Sequence, residues 1–386
     1  MAAILVTGGT GVVGCEIVRA LVHHPTAPEI VLLLRGGPQQ AELKRRWLLQ
    51  VLEVPPGHPR EPAVTAVAGD VAAPGLGLAE NDRAALAERL THLVHSAGVT
   101  TFKQTAEEAQ RNNVQSTLHA LELARRCRGL RGVLHVSSAF AAGECGGDVG
   151  DDDLDAEAGF VNEYERSKML SERVVRAAMG ELPIAITRPS IVAGRRKDGW
   201  VARFLGVYTV WELFHRGLVG MVPGSPETPL DLVPSDWVGE ATAALLLDRF
   251  QPGGCYHLCS GPARSLGIQA HLRFLAEVLA AEDPAWAQQR YPVPICVDYE
   301  TFAHFLETIE MLNHRRLRLL VHQVRAICHT LASPKRFSTA RADAQLAGTG
   351  VSLDHASTWV GESIRFALRQ RWEPPAPGPG RLLSGG

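Results

Sequence analysis

The sequence lacks three features, each of which would define a class of protein. Its formal net charge is only -2, from 39 basic and 41 acidic side chains among 386 residues, which argues against a protein that binds nucleic acid by neutralising phosphates. Seven cysteines without a regular spacing are too few for a disulfide framework and predict a reducing compartment. No run of about 18 apolar residues occurs, so we expect no membrane span.

The N-terminus also lacks the positively charged start of a secretory signal, because MAAILVTGG passes directly into an apolar segment. Together with the cysteine usage, this predicts a cytoplasmic protein. The composition is 46% hydrophobic and 21% charged, which is typical of a globular chain. The length allows two or three domains, or one α/β core with a large accessory lobe.

Short apolar segments alternate with helical patterns along the first half of the chain. Residues 2–6 and 30–34 enclose a helical pattern and form one predicted βαβ unit. Further apolar segments lie at 63–67, 91–95, 131–136 and 183–188, with helical stretches near 103–128 and 161–179. Continuous apolar strands between helices predict an α/β fold of the Rossmann type, with a doubly wound parallel sheet buried on both faces.

After Arg188 the alternation of apolar segments with helical patterns becomes less regular. Aromatic residues spaced three or four apart in 199–221 and a helical pattern in 299–331 predict a smaller, mostly helical C-terminal substrate lobe. We expect a Rossmann core that binds NADP in 1–194, completed by about 228–262, and a substrate lobe in 195–227 and 263–372. The tail, 373–386, is rich in proline and glycine and predicts disorder.

The first strand runs into a glycine-rich turn that opens the first helix. Bare backbone N–H groups at a helix N-terminus bind a pyrophosphate, and side chains at these glycines would hold the phosphates away. With a second strand in the expected place, the pattern predicts dinucleotide binding. The residues concerned are Thr7, Gly8, Thr10, Gly11, Val12, Val13 and Gly14.

The residue at the end of the second strand indicates whether the cofactor is NAD or NADP. An acidic residue there would bind the ribose 2'-hydroxyl of NAD, whereas Arg35 suits the 2'-phosphate of NADP(H), with Arg45 as a weaker second candidate. We therefore predict NADP(H). The ends of the third and fourth strands are consistent with the same cofactor through Asp70, Val71, Ser96, Ala97 and Gly98.

Tyrosine and lysine are both scarce in this chain, with five of each. Tyr164 and Lys168 nevertheless stand four residues apart, on one face of a predicted helix. Upstream, a strand ends at Ser137 and Ser138, where open α/β sheets place their ligand crevice. We expect Ser138 to hold a carbonyl oxygen, with Ser137 as the alternative.

These residue types suit general acid–base catalysis at a carbonyl group. Hydride delivered to a C=O group builds negative charge on oxygen, and a positioned phenol can protonate it. Free tyrosine titrates near 10, so we expect the Lys168 ammonium to lower the pKa of Tyr164. The acidic run at Asp148, Asp151, Asp152, Asp153 and Asp155 is interpreted as a solvated loop, and we predict no metal site.

Several motifs together resemble the extended short-chain dehydrogenases/reductases. TGGTGVVG, HSAG, VSSAF, YERSK and Arg188-Pro189-Ser190 carry the likeness, and 138–147 with 162–168 resemble the fatty acyl-CoA reductase and thioester reductase branch. The resemblance covers about residues 3–262. It implies that Ser138, Tyr164 and Lys168 are catalytic and that Lys168 also touches the nicotinamide ribose.

The same resemblance implies supporting roles for three more residues. Asn113 would support Lys168, and Pro189 and Ser190 would border the nicotinamide. It also implies an NADPH-dependent reductase of an acyl thioester, bound to CoA or to a separate carrier protein, that yields an aldehyde or an alcohol.

Three questions stay open on the sequence. A ketone or aldehyde reductase, or a sugar-nucleotide epimerase or dehydratase, would share the fold and the motifs. The aromatic stripe of 200–214 fits either a channel for the acyl group or plain core. The basic cluster at 314–318 fits either a docking surface or a solvated helix face.

Overall fold

A computed structural model describes residues 2–102, 104–155, 157, 159–311 and 334–373. Its strands are β1 Ala3–Thr7, β2 Glu29–Leu34, β3 Val64–Ala68, β4 Leu90–His95, β5 Gly132–Val136, β6 Gly147–Val149, β7 Ile184–Pro189, β8 Ile191–Ala193, β9 Met221–Pro223, β10 Pro229–Leu230, β11 Leu232–Pro234, β12 Cys255–Leu258, β13 Leu266–Gly267, β14 Ile295–Val297 and β15 Lys335–Phe337. Seven of them form one sheet in the order β3-β2-β1-β4-β5-β7-β12.

The α-helices flank that sheet or build the lobe beside it. They are α1 Val12–His23, α2 Pro38–Val51, α3 Glu80–Arg89, α4 Ala106–Ala109, α5 Ser116–Arg126, α6 Glu163–Ala178, α7 Val207–His215, α8 Ser235–Leu247, α9 Gly261–Arg264, α10 Ile268–Glu282, α11 Pro284–Gln289, α12 Tyr299–Met311, α13 Ala340–Leu346 and α14 Val360–Arg369. Within the described residues, no helix combines the length and apolarity needed to cross a bilayer.

All strand pairs of the central sheet are parallel. β1 and β5 are buried along their whole length, as expected for a sheet that helices cover on both faces. One apolar core lies between the sheet and α1, α2 and α8, and a second lies between the sheet and α3, α5 and α6. The predicted Rossmann-type fold is confirmed.

A third apolar core lies in the lobe, where α7, α10 and α14 pack together. The aromatic spacing predicted a helix through 199–221, but only α7 is helical. Gly206 at φ +53 precedes the helix and Gly217 at φ +68 follows it, backbone conformations that suit glycine and lie outside a helix. The pattern at 299–331 is helical through α12; the basic cluster at 314–318 and the tail from 374 onward lie outside the described residues.

The acidic run before α6 contacts a segment from the far part of the chain. β6 pairs in parallel with β15, Arg336 binds Asp148 at 2.7 Å, and Arg341 binds Asp152 at 2.6 Å. Asp151 is buried and accepts a hydrogen bond from the His257 backbone at 3.0 Å. The prediction of a solvated loop is therefore wrong for Asp151, because its carboxylate is buried and accepts from a backbone N–H inside the fold.

Candidate active site

Two glycines of the turn between β1 and α1 have no room for a side chain. Gly8 has φ +72, and a Cβ there would lie 2.6 Å from the backbone nitrogen of Ala97. A Cβ on Gly14 would lie 2.0 Å from the carbonyl oxygen of Gly8. Gly11 caps α1 without a side-chain hydrogen bond, so the first N–H groups of the helix have no side-chain partner at that cap. Backbone N–H groups of this kind bind phosphate.

The C-terminal ends of β1 and β4 meet beside this turn. The Thr7 hydroxyl lies 2.9 Å from Nδ1 of His95 and accepts a hydrogen bond from the Ala97 backbone at 3.3 Å. Thr10 is partly exposed within the turn. A large cavity opens here, and its wall includes Ser96, Gly98 and the four residues from Gly11 to Gly14.

Four further residues expected to bind the cofactor divide between two edges of the sheet. At the C-terminal edge, Nε of Arg35 lies 3.2 Å from a carboxylate oxygen of Asp70, and the Arg35 side chain is 63% exposed. The carbonyl of Val71 accepts from His119 at 2.9 Å. Arg45 instead donates to the carbonyl of Val64 at 2.7 Å, at the first residue of β3. Of the two arginines, only Arg35 lies at the edge that carries the glycine turn.

The three residues expected to be catalytic lie on the wall of the same cavity. Ser138 follows β5 and caps a short turn by accepting from the Phe140 backbone at 3.2 Å. Tyr164 and Lys168 lie one turn apart on α6, which begins after Asn162; that side chain accepts from the third backbone N–H of the helix. The cap fixes where α6 starts and so which residues face β5.

Burial changes the acidity of both groups on α6. It lowers the pKa of Lys168 to about 8, opposed by the nearby Glu172 carboxylate, and Nζ of Lys168 donates to the carbonyl of Val136 at 2.9 Å. It raises the pKa of Tyr164 to about 12, opposed by a hydrogen bond with Ser138. The expected lowering of the Tyr164 pKa is thus not found, because desolvation is the largest influence on the phenol.

Asn113 lies in a π-helical turn, residues Gln110–Gln115, a local widening that is frequent at functional sites. Its side chain donates to the Ser167 hydroxyl at 2.7 Å and accepts from the Val99 backbone at 2.8 Å. A Cβ on Gly98 would lie 3.0 Å from the Asn113 amide oxygen and 3.5 Å from Nζ of Lys168. Asn113 therefore lies beside Lys168 and contacts the residue that precedes it on α6.

Sequence reasoning missed a buried ion pair behind this site. Arg188 and Glu172 are both fully buried and 2.6 Å apart, and Glu172 also accepts from the Ser137 hydroxyl at 2.8 Å. Arg188 donates further to the backbone carbonyls of Asp151 and Asp153. The alternative serine, Ser137, is thereby bound to Glu172. The only available signal was the position of Glu172 one turn after Lys168.

The sequence motifs assign no role to Asp231, which holds the loop after β7 in the structure. Its buried carboxylate accepts from the Ser190 hydroxyl at 2.6 Å and from the backbones of Ser260 and Gly261 at 2.8 and 2.9 Å. Pro189 and Ser190 both line the cavity. The side chain of Ser190 is therefore directed by a residue more than forty positions later in the chain.

The cavity has a volume of about 1740 Å³ and runs from the glycine turn past Tyr164 into the lobe. There its wall is mostly apolar. From the aromatic stripe, Phe204 and Trp211 line it, while Tyr208 and Phe214 lie in the lobe core. Both interpretations of the aromatic stripe therefore apply, because some of its residues line the cavity and others lie in the apolar core of the lobe. The cavity wall in the lobe includes Phe204, Leu205, Val207, Val210, Trp211, Val222, Leu230, Ile268 and Leu272.

Comparison with known proteins identifies sequence relatives and a solved structure with a similar fold. The chain is 26% identical over 280 residues to the fatty acyl-CoA reductase wat of Drosophila melanogaster, an alignment that covers 64% of this chain and 54% of that protein. It is 24% identical over 362 residues to the alcohol-forming fatty acyl-CoA reductase of Simmondsia chinensis, covering 76% and 73%. The chain spans about half the length of the Drosophila relative.

Among solved structures, the chain is similar to the terminal R domain of the myxalamid PKS-NRPS pathway. The TM-score is 0.78 at 22% identity, covering 97% of this chain and 92% of that domain, which shows the fold. A family model described as male sterility protein matches residues 6–242, more than half of the sequence. The chain therefore belongs to the NAD-binding male sterility protein family, as the motif resemblance indicated.

Proposed function

We propose that this chain is an NADPH-dependent reductase that transfers hydride to the carbonyl carbon of an acyl thioester. One observation carries the proposal: Ser138, Tyr164 and Lys168 line one cavity that begins at the glycine turn and continues into an apolar lobe. The names of the Drosophila and Simmondsia relatives, both fatty acyl-CoA reductases, support the same substrate class.

The residues present fit a nicotinamide dinucleotide. A Cβ on Gly8 or Gly14 would meet backbone atoms at 2.6 Å or less, so glycine at both positions allows the tight turn at the start of α1, which is the place where a pyrophosphate binds in this fold. Arg35, exposed at the end of β2, would hold a 2'-phosphate. Pro189 and Ser190 would border the nicotinamide. When bound, the cofactor supplies the hydride.

The side chains at the cavity wall would then stabilise the negative charge that forms on the substrate oxygen and donate a proton to it. The Ser138 hydroxyl donates a hydrogen bond to the carbonyl oxygen of the substrate. Because burial raises the pKa of Tyr164 to about 12, the phenol keeps its proton near neutral pH and can give it to the developing oxyanion. The Lys168 ammonium, held at the carbonyl of Val136, offsets negative charge on the phenolate that remains.

The reaction balances with the cofactor as the only reductant. Hydride adds to the carbonyl carbon and the Tyr164 proton to its oxygen; the C–S bond then breaks, the aldehyde forms, and that proton leaves with sulfur as the thiol, so one NADPH and one proton are consumed for each thiol released. Addition of a second hydride and a second proton to the aldehyde gives an alcohol and consumes a second NADPH. The ratio of NADPH oxidised to thiol released therefore distinguishes the two products.

Purified protein tests the proposal directly. With NADPH and acyl-CoA or acyl-pantetheine thioesters, we expect NADPH oxidation together with free thiol, at one or two NADPH per thiol. Ketones and UDP-sugars serve as the comparison substrates. Oxidation of NADPH with ketones but with no thioester would show that the substrate class is wrong, and conversion of UDP-sugars with retained NAD would favour an epimerase.

Arg35 provides a test of cofactor choice. We expect Arg35→Ser to weaken NADPH binding by roughly 10-fold to 100-fold, the value of a lost charge-assisted hydrogen bond, while NADH binding changes little. The measurement is a fluorescence titration of each cofactor. Arg46→Ser is the matched control, because Arg46 is exposed on α2 and pairs with Glu42. Equal weakening of both cofactors by Arg35→Ser would contradict recognition of the 2'-phosphate.

A further inference from the structure

Two side chains of α6 bind the chain at the end of β5, directly before Ser138. Nζ of Lys168 donates at 2.9 Å to the last carbonyl of β5, and the Glu172 carboxylate accepts from the Ser137 hydroxyl at 2.8 Å. The next residue, Ser138, is hydrogen-bonded to Tyr164. A lysine and a glutamate one helical turn apart therefore fix the backbone that carries the Ser138 hydroxyl.

Two arginines hold the Glu172 carboxylate in its place. Arg188 donates from Nε to one carboxylate oxygen at 3.0 Å and from a terminal nitrogen to the other at 2.6 Å, and Arg176 donates at 3.0 Å. A bidentate contact of this kind fixes the orientation of a carboxylate. Burial opposes ionisation of Glu172, but the hydrogen bonds from Arg188 hold its pKa below the usual range. Glu172 is therefore an oriented, charged acceptor for Ser137.

The charge of Glu172 also acts on Lys168. Two buried histidines interact with the same lysine, His95 on β4 and His135 on β5. Burial lowers the pKa of His95 to about 3 and that of His135 well below its usual value, so both rings are neutral near pH 7. The Tyr164 phenol is neutral as well. Burial lowers the pKa of Lys168 to about 8, and the Glu172 carboxylate opposes that shift, so this carboxylate favours the ammonium.

We propose that Glu172 is a positioning residue for the hydride transfer: through Ser137 it holds the Ser138 hydroxyl against the phenol, and its carboxylate balances the charge of the Lys168 ammonium. The inference rests on the proposed function and adds to it a residue that touches neither substrate nor cofactor. Glu172 has no exposed surface and is not part of the cavity wall. Its effect on turnover therefore passes through the two residues that it holds.

Glu172→Gln tests the role of the charge, because the amide keeps the shape of the side chain and an oxygen that accepts from Ser137. The chain has five lysines, so isotope labelling of the lysine Cε atoms gives a simple NMR spectrum, and Lys168→Met assigns the signal of Lys168. We expect Lys168 to titrate roughly 1 pH unit lower in Glu172→Gln than in the wild type, since a nearby opposite charge is removed. Titration at the wild-type pH would overturn the proposal.

The pH profile of the reaction makes the same comparison through activity. For an acyl-pantetheine thioester, kcat/KM should fall as the pH rises through the pKa of Lys168, because only the ammonium offsets the phenolate. In Glu172→Gln this fall should begin roughly 1 pH unit lower, so that kcat/KM relative to the wild type is about 10-fold smaller near pH 9 than near pH 6. Glu181→Gln is the matched control, because that carboxylate is exposed and pairs with Arg125. An equal loss at every pH would identify a structural role alone and contradict the proposal.

A double variant decides the role of the charge if Glu172→Gln does not fold. Removing one member of a buried ion pair is strongly destabilising, whereas removing both leaves no unpaired buried charge. Glu172→Gln combined with Arg188→Gln should again lower the pH at which Lys168 titrates, because the Glu172 carboxylate is the charge that opposes the effect of burial on this lysine. Titration of Lys168 at the wild-type pH in the double variant would refute the assignment.

Ser137→Ala tests the contact through the serine, since it removes the hydroxyl and leaves the ion pair intact. We expect kcat to fall roughly 3-fold to 10-fold, the effect of one lost hydrogen bond, while NADPH affinity and the titration of Lys168 stay as in the wild type. Ser171→Ala is the control, because its hydroxyl is also buried on α6, donates to the Ser167 carbonyl at 2.7 Å and lies outside the cavity wall. Wild-type kcat in Ser137→Ala would show that this contact does not position Ser138.

Failure of this inference and failure of the proposed function give different results. If no thioester is reduced, the proposed function is wrong, and the NMR titration of Lys168 still decides whether Glu172 balances its charge. If thioesters are reduced but Lys168 titrates at the same pH in Glu172→Gln and in the wild type, this inference alone is wrong.

Discussion

Tyr164→Phe is expected to lower kcat/KM for thioester reduction by roughly 100-fold to 10,000-fold, the contribution of a positioned general acid. The change removes one hydroxyl and keeps the ring that contacts Phe102 at 6.1 Å between centroids. NADPH affinity should stay close to the wild-type value, because the glycine turn and Arg35 are untouched. Steady-state kinetics and a cofactor titration on the same preparation give both quantities.

Tyr291→Phe is the matched control for this variant. Tyr291 lies in the lobe against Trp286 and outside the cavity wall, so loss of its hydroxyl should leave kcat/KM near the wild-type value. A Tyr164→Phe protein that retains wild-type turnover would show that the phenol is not the proton donor. A Tyr164→Phe protein that loses NADPH binding would instead indicate a role in holding the cofactor.

Gly14→Ala should have the second large effect, on both folding and cofactor binding. The new Cβ would meet backbone atoms of Gly8 at 2.0 and 2.7 Å, and backbone cannot move aside as a flexible side chain can. We expect the free energy of unfolding to fall by about 1 to 3 kcal/mol, typical of overpacking. NADPH affinity should fall by roughly 100-fold or more, because the N–H groups that bind phosphate shift with the turn.

Denaturant unfolding and NADPH titration measure these two effects. Gly180→Ala serves as the control, since a Cβ at Gly180 meets nothing within 4 Å and the residue lies just after α6. That variant should match the wild type in both measurements. Wild-type stability together with unchanged NADPH affinity in Gly14→Ala would contradict the close packing of the turn.

The parts of the site that follow from local sequence were predictable. The glycine turn is read from residues within one strand and one helix, and Tyr164 and Lys168 share a helix face because of their spacing alone. The structure brings both sets to one cavity because the C-terminal ends of parallel strands meet at one edge. Arg35 lies at that edge for the same reason.

Contacts between distant segments were not predictable from these patterns. Glu172 and Arg188 lie on neighbouring elements, but nothing in either segment states that their side chains meet. Asp231 reaches Ser190 only because β11 pairs with β8. The acidity of Tyr164 could not be judged either, since desolvation depends on the finished packing rather than on the ammonium one turn away.

The pairing of β6 with β15 has a consequence for the order in which this protein can reach its native state. The ion pair that accompanies it, Asp148 with Arg336, joins positions 188 residues apart. Contacts of such long sequence separation form late, because the intervening chain must first lose much of its freedom. On a ribosome, the segment leading to α6 would wait for its partner strand until residue 335 has emerged, long after the nucleotide-binding turn at the N-terminus has been made.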